Sequence, residues 1–391
     1  MIDIDEPPTE SVSLDQRYDR LRQILRECDS VCIGYSGGVD SVFLAAAAVQ
    51  TLGRQNVLAV TGRSAAYPMV QRDVALECAR TFGIPHLEIE TDELADERYT
   101  ANPSNRCYYC KSELWPKLLG VARERGLRTV LDGSNADDAG DYRPGFAAAR
   151  ENDVRSPLLE AGLTKADVRE LSARMGLPTW DQPSAPCLSS RLPYGIAVTP
   201  ARLRAVERAE EALRALGFRE LRVRHHDDCL RIELAPAELG RAFFIAGAIY
   251  DRITASDDVR VLIDVEGYRR GALNEALVQI GAAATAEVTS TAVPPHEPAG
   301  FHGDIAVVTG ADADAARGAA PALRRRGFRY IALDAAAFAD RSDSDAAALD
   351  ARADHPRTAV LSERVSDAGA ADTAEVDARS SVTTLYSSGS D

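Results

Sequence analysis

The sequence predicts an α/β protein: a parallel sheet with helices on both faces, then a smaller α/β domain and an acidic extension. Three observations lead there. From Tyr18 to Asp132, short apolar runs alternate with segments of helical spacing. The runs end in glycine or polar residues, as strands do where a parallel sheet binds ligands at its carboxyl ends. Beyond Pro178, Pro183 and Pro186 the alternation restarts on a smaller scale, from Thr199 to about Leu277.

Tyr18, Leu21, Ile24 and Leu25 share one helical face, so a helix over 18–28 precedes the sheet. Ser30 to Tyr35 is a buried strand running into glycines, and Val42 to Leu52 an alanine-rich helix. Asn56 to Thr61 and His86 to Glu90 are strands on either side of a helix from Pro68 to Phe82. Cys110 to Arg125 is helical, and Thr129 to Asp132 is a further strand. Ser36, Thr61 and Asp132 therefore stand at three strand ends. Thr164 with Asp167 forms a capping box that opens a helix from Lys165 to Met175. The prolines leave Cys187 in a loop. A helix to Leu216, strands at 221–224 and 230–234, another helix and a strand at 259–265 build the smaller domain. The expected divisions are 1–195, 196–283, an Ala/Thr/Glu/Pro linker at 284–300, and an Ala/Asp-rich extension at 301–391. Phe301 to Ile305 and Gly327 to Asp334 echo His226-Asp227-Asp228 and Val261 to Asp264, so the extension reads either as a degenerate partial repeat of the second domain or as an unrelated small unit.

The net charge is -15, and Lys111, Lys117 and Lys165 are the only lysines. An acid-rich, lysine-poor surface fits high salt, where screening relieves self-repulsion, and fits biased base composition equally. It gives no support to a nucleic-acid partner. No apolar run approaches the ~20 residues of a membrane span, and Met1 to Asp15 lacks the pattern of a secretory signal, so no membrane association and a cytoplasmic location are expected. Seven cysteines, an odd number, argue against a disulfide framework and direct attention to metal or thiol chemistry. Cys28, Cys32 and Cys78 lie on predicted helices or a strand and read as filler, and Cys229 has no partner spacing.

A strand, then Ser36-Gly37-Gly38-Val39-Asp40-Ser41, then a helix is an arrangement that cradles phosphate. The glycines let backbone N–H groups approach the oxygens, and the helix start adds a favourable dipole. The hydroxyls of Ser36 and Ser41 can donate to phosphate, and Asp40 can hold Mg²⁺ or orient the loop. No Gly-Lys-Ser/Thr follows, so this is not a Walker A loop. Cys107 and Cys110 can ligate one metal centre, and Cys187 from a distant loop would leave a coordination site open. A zinc site and free thiols are the alternatives. Arg222 and Arg224 alternate onto one strand face, where they could clamp a phosphate or form a solvated charged strand, and Glu233 could meet them.

The glycine-rich element resembles the PP-loop of the ATP pyrophosphatases, relatives of GMP synthetase, NAD synthetase and tRNA thiolation enzymes. Asp132-Gly133-Ser134-Asn135-Ala136-Asp137-Asp138 resembles the family's second motif, beside the nucleotide. Arg155-Ser156-Pro157-Leu158, leading into Leu163 to Arg169, is a third match, in which the position of Lys165 faces phosphate. Tyr67-Pro68, Cys107-Tyr108-Tyr109-Cys110-Lys111, Asp141 to Gly145, Pro183 to Arg191, Arg222 to His226 and Glu266 to Arg269 narrow the resemblance to the LarE family. It runs from about Leu21 to Leu277 and leaves the extension outside.

That resemblance implies an ATP-dependent, AMP-forming sulfur transferase of nickel-pincer nucleotide cofactor synthesis, the cofactor of lactate racemase. Its substrate would be the small molecule pyridinium-3,5-dicarboxylate mononucleotide. A carboxylate would be adenylated, with Mg²⁺ and ATP held by Ser36, Gly37, Gly38, Asp40, Ser41, Thr61, Asp132, Gly133, Ser134 and Lys165. Arg222 and Arg224 would bind the substrate phosphate. Cys187 matches the sulfur-delivering cysteine. Members with Cys-x-x-Cys and this third cysteine hold a [4Fe-4S] cluster that delivers a sulfide, and Cys107, Cys110 and Cys187 match that variant rather than the sacrificial one. The resemblance also suggests a homo-oligomer. The main competing reading is a tRNA 2-thiouridine synthase, which should carry a basic RNA-binding face. A non-catalytic nucleotide sensor is a third, and an amidotransferase would need a glutaminase that the sequence does not contain.

Overall fold

The computed structural model describes residues 12–140, 144–256, 258–269, 300–302, 305–308, 313–325 and 328–341. Residues 1–11, 141–143, 257, 270–299, 303–304, 309–312, 326–327 and 342–391 lie outside the described residues. The elements run α1 Leu14–Cys28, β1 Val31–Gly34, α2 Val39–Leu52, β2 Val57–Arg63, α3 Met69–Thr81, β3 His86–Glu90, α4 Glu97–Thr100, α5 Arg106–Glu124 and β4 Thr129–Leu131. Then come α6 Gly145–Glu151, α7 Pro157–Glu160, α8 Lys165–Arg174 and α9 Pro200–Ala215.

The four strands form a parallel sheet in the order β3-β2-β1-β4. A strand's side chains alternate between faces, and β1 shows what that does here. Val31 and Ile33 join the core with α1, α2, α3 and α8, while Cys32 packs on the other face with Trp115 and Leu118 of α5. Helices thus cover both faces, as parallel sheets require. The alanines of α2 let it lie close: Ala45, Ala47 and Ala48 are wholly buried. The capping box of α8 is formed, with Asp167 N–H donating to Thr164 Oγ1 at 3.2 Å and Thr164 N–H to the Asp167 carboxylate at 2.9 Å. A second capping box, Ser13 with Gln16, starts α1 four residues before the predicted helix. The α5 helix also begins earlier than its spacing predicts, at Arg106, so Cys107 and Cys110 both lie in its opening turns.

The second domain follows α9 with β5 Leu221–His226, β6 Cys229–Leu234, α10 Leu239–Phe244, α11 Ala246–Thr254 and β7 Arg260–Asp264. The sheet does not end there. Strands β8 Gly300–His302, β9 Ile305–Val308 and β10 Tyr330–Asp334, with α12 Ala313–Arg325 before β10, extend it in the order β5-β6-β7-β10-β9-β8. Strands β8, β9 and β10 are thereby part of the second domain's sheet, where the sequence reading sets 301–391 apart as an extension. The cause is an edge: β7 would otherwise present unpaired N–H and C=O groups, and β10 pairs with it antiparallel. Among the described residues no helix is long and apolar enough to cross a membrane.

Candidate functional site

The loop after β1 is held by its own serines. Ser41 Oγ accepts from Ser36 N–H at 3.1 Å, lies 3.2 Å from Ser36 Oγ and donates to Gly38 C=O at 3.1 Å. Gly37 has φ +70°, and a Cβ there would stand 2.7 Å from Ala75 Cβ, so the approach of α3 leaves no room for a side chain. Tyr67 OH donates to Ser36 C=O at 3.2 Å and ties the Tyr67-Pro68 turn to the loop. Gly133 lets the β4 loop come close: a Cβ there would be 3.3 Å from Ser41 N.

The loop after β4 and the start of α8 meet at this loop. Lys165 Nζ lies 2.5 Å from Asp40 Oδ2, and Asn135 Nδ2 donates to Asp40 Oδ1 at 3.3 Å. Asp132 accepts from Ser134 N–H and Oγ, both at 3.0 Å, and Asp137 accepts from Lys165 N–H at 2.9 Å. Thr61 is buried, and its hydroxyl donates to Tyr35 C=O at 2.6 Å. Having spent its proton, that hydroxyl accepts from His86 Nε2 at 2.8 Å, which places the imidazole proton on Nε2. Thr61 thus braces the strand end that leads into the loop, its hydroxyl engaged by Tyr35 and His86. Mg²⁺ keeps several waters and takes one or two carboxylates plus phosphate oxygens; Asp40 at the loop fits that demand.

The Cys187 loop is built from buried charge. Arg191, 2% exposed, pairs with Glu210 at 2.8 Å and donates to the carbonyls of Pro186 at 2.7 Å and Cys187 at 3.3 Å. Arg222 donates to the carbonyls of Leu221 and Ser184 and lies over the Tyr268 ring. Arg224 donates to Ser190 C=O at 2.8 Å and pairs with Glu233 at 2.9 Å. Glu233 also pairs with Arg231, and Arg231 with Asp264. Glu233 therefore joins Arg224 to Arg231, and among the described residues Arg222 has no ion pair. Four buried guanidiniums, Arg191, Arg222, Arg224 and Arg231, thus stand against three buried carboxylates, Glu210, Glu233 and Asp264, an excess of one positive charge, while the partly exposed Arg214 also pairs with Glu210. Burial and then Arg191 push the Arg222 guanidinium below its ordinary range, the mark of a cation lacking a counter-charge. Burial raises Glu210, but Arg191, Arg214 and Arg222 outweigh it and hold the carboxyl below the usual range.

Cys187, Cys110 and Tyr99 pack in one cluster with Leu188 and Leu192, and Tyr99 OH lies 2.6 Å from Ser189 Oγ. Burial raises the Cys107 thiol and the nearby Cys187 adds to the rise, and both Cys187 and Cys107 lie close enough to add to the rise at Cys110. All three thiols are free. Burial pushes the Cys110 thiol up to about 12. Among the described residues no three His, Cys, Asp or Glu side chains stand where one metal ion could be shared. An iron–sulfur cluster takes each thiolate on a separate iron and needs no such convergence, so three neighbouring free thiols fit that group.

Arg231, Glu210 and Arg106 were missed by sequence reasoning. Arg106 is 5% exposed, donates to Asn102 Oδ1 and lies against Cys107 and Cys187. Arg191 stands in the Pro183 to Arg191 motif but was not assigned a role. Asp141 to Arg143 of the Asp141 to Gly145 motif lie outside the described residues.

Comparison with known proteins agrees with this geometry. The family model "NAD synthase" matches residues 13–105, the segment that carries the glycine-rich loop. An uncharacterized protein of Synechocystis sp. is 43% identical over 270 residues, 68% of this chain and 100% of the relative. The pyridinium-3,5-bisthiocarboxylic acid mononucleotide synthase of Lactiplantibacillus plantarum is 34% identical over 255 residues, 65% of this chain and 92% of that enzyme. An uncharacterized protein of Methanocaldococcus jannaschii is 25% identical over 204 residues, 52% of this chain and 77% of the relative. A phosphate-cradling loop on a parallel sheet, with these relatives, makes the chain an ATP-using enzyme. With 34% of the aligned residues identical over 92% of that synthase, the chain belongs to the LarE family of PP-loop proteins.

Proposed function

We propose that this enzyme is an ATP-dependent sulfur transferase that adenylates a carboxylate of pyridinium-3,5-dicarboxylate mononucleotide and converts it to a thiocarboxylate, for nickel-pincer nucleotide cofactor synthesis. The observation that carries the reading is the convergence of Arg191, Arg222 and Arg224 on the loop that bears Cys187. A buried excess of guanidinium favours a dianion such as the substrate's phosphate monoester. A mononucleotide anchored there has its ring beside Cys187.

The chemistry follows in two steps. A substrate carboxylate oxygen attacks the α-phosphorus of ATP, the bond to the β-phosphate oxygen breaks, and pyrophosphate leaves. Ser36, Ser41, the loop N–H groups and Lys165 stabilise the leaving anion, and Asp40 orients Lys165 until phosphate arrives. A sulfur nucleophile delivered at Cys187 then adds to the acyl carbon, and AMP departs with the C–O bonding pair. Cys107, Cys110 and Cys187 would hold a [4Fe-4S] cluster, which would supply sulfide as the nucleophile when bound.

The test is incubation of the anaerobically purified protein with ATP, Mg²⁺ and the mononucleotide, reading pyrophosphate and the product mass. Pyrophosphate release that requires the mononucleotide, with exchange of one oxygen for sulfur, is expected. Release that requires tRNA instead would establish the 2-thiouridine reading, and no release with either would leave a nucleotide-binding sensor.

A further inference from the structure

The second sheet is symmetric about its centre. In the first unit, β5 and β6 form a hairpin in which His226 opposes Cys229, β6 runs parallel to β7, and a helical segment connects them. In the second, β8 and β9 form a hairpin in which His302 opposes Ile305, β9 runs parallel to β10, and α12 connects them. A shift of 76 residues carries the first hairpin onto the second, leaving two residues between the strands in each. The parallel registers match as well. Cys229 opposes Arg260, and its counterpart Ile305 opposes Tyr330, the first residue of β10 as Arg260 is of β7.

The two units meet in the way two identical objects meet across a dyad. Ile263 opposes Leu333, which is its own counterpart in the other unit. On either side, Leu262 opposes Asp334 and Asp264 opposes Ala332, pairs that a two-fold rotation interchanges. An isologous contact has that reciprocity: if one residue touches a second, the second's equivalent touches the first's. Here the relationship lies within one chain. The arginines of the first hairpin are gone from the second, where Gly300 stands for Arg224 and Val307 for Arg231. The second unit keeps the frame without the anion site.

We propose that residues 300–334 are a degenerate duplicate of the 221–264 unit and occupy, within the chain, the place that a second copy of that unit would take on β7. The edge of β7 is thus a self-association surface whose occupant is already supplied. Side chains reinforce the fit. Arg260 Nε donates to Asp334 Oδ2 at 2.9 Å, and since Asp334 is the counterpart of Asp264, the same pair would form between Arg260 and Asp264 of the partner subunit in a dimer through this edge. Val265 N–H donates to Ile331 C=O at 3.0 Å, and the Tyr330 ring covers the Arg231 guanidinium at 3.7 Å. Any oligomer of the full chain must then use a surface other than β7.

The experiment uses the full-length chain with Ile263 and Leu333 replaced by cysteine, singly and together. Opposed antiparallel residues have Cα atoms about 4.5–5.5 Å apart, within disulfide reach. Mild oxidation of I263C/L333C should close a bond within one chain, identified by mass spectrometry of the joined peptides, while I263C alone should give no covalent dimer. A dimer of I263C alone linked through position 263 would overturn the proposal. Two further variants loosen the duplicate: I263C/L333K sets an ammonium in the central pair, and I263C/D334K removes the partner of Arg260 with the central pair otherwise kept. Both should link two chains through position 263. If neither does, in soluble or aggregated material, β7 has no affinity for its own copy and the proposal falls.

Discussion

Lys165 Nζ stands 2.5 Å from Asp40 Oδ2, so the first residue of α8 and the first turn of α2 neutralise each other across the mouth of the glycine-rich loop. An arriving triphosphate competes with Asp40 for Lys165 and frees the carboxylate for a cation. Ser41→Ala should lower pyrophosphate release by about 10²–10³-fold, the usual effect of removing one group that stabilises a developing anion, and Asp40→Ala should lower it as well by leaving Lys165 unoriented. The helical circular-dichroism signal should stay as in the wild type, because both side chains serve the loop and not the core. Wild-type rates in both variants would remove the loop from the reaction.

Arg222 and Arg224 face the Cys187 loop and not the glycine-rich loop, so their effects should divide between the two ligands. Arg222→Ala is expected to weaken binding of the mononucleotide by about ten- to a hundredfold, from the loss of charge-assisted hydrogen bonds worth ~1.5–3 kcal/mol. ATP affinity should stay within about twofold. Arg224→Ala should do the same and also leave Glu233 with Arg231 alone. Calorimetric titration of each ligand measures both effects, and equal losses for ATP would place the pair on the nucleotide side.

Much of this was legible because local sequence dictates it. Ser36 to Ser41 lies between a run that must be a buried strand and an alanine-rich helix, and Thr164 with Asp167 can hardly serve except as a cap. Arg231 was not legible. Its neighbours on β6 alternate as in any half-exposed strand, and only the arrival of β7 and β10 buries it between Glu233, Asp264 and the Tyr330 ring. The same holds for Glu210, which reads as the solvated face of α9 until Arg191 comes over it. The pairing of Ile263 with Leu333 links residues 70 apart in sequence, and no local pattern announces such a contact. The echo of His226 in His302 was visible, but its meaning lay in the shared register.

His86 provides a pH signature. Burial lowers its pKa below the ordinary value, with Glu88 opposing and Arg72 adding to the shift, and the Nε2 proton is committed to Thr61. The unfolded chain then binds a proton at this site at higher pH than the folded one. Stability from this group is fully present above pH ~6.5 and declines as pH falls through that value toward the lower folded pKa. His86→Gln keeps a donor for Thr61 and removes the titration, so its denaturation midpoint should depend less on pH between 8 and 5 than that of the wild type. Parallel profiles would show that His86 is protonated equally in both states.

The three cysteines carry the last prediction. Cys107 and Cys110 lie one helical turn apart at the start of α5, so their side chains share a face. Cys187 reaches them from a loop whose carbonyls are gripped by Arg191, Arg222 and Arg224. Anaerobic reconstitution with iron and sulfide should load an oxygen-sensitive cluster, counted by metal and sulfide analysis and identified by its Mössbauer spectrum. Each of Cys107→Ala, Cys110→Ala and Cys187→Ala should lose it. ATP binding should be retained in all three, since among the described residues the hydrogen bonds that hold the loop between Ser36 and Ser41 involve none of them. Two outcomes would count against the cluster. One is stoichiometric zinc in the wild type. The other is a mass loss at Cys187 equal to one H₂S after a single turnover, which makes the cysteine itself the sulfur donor and limits each chain to one event. In that case Cys107→Ala and Cys110→Ala would still form one equivalent of product, whereas Cys187→Ala would form none.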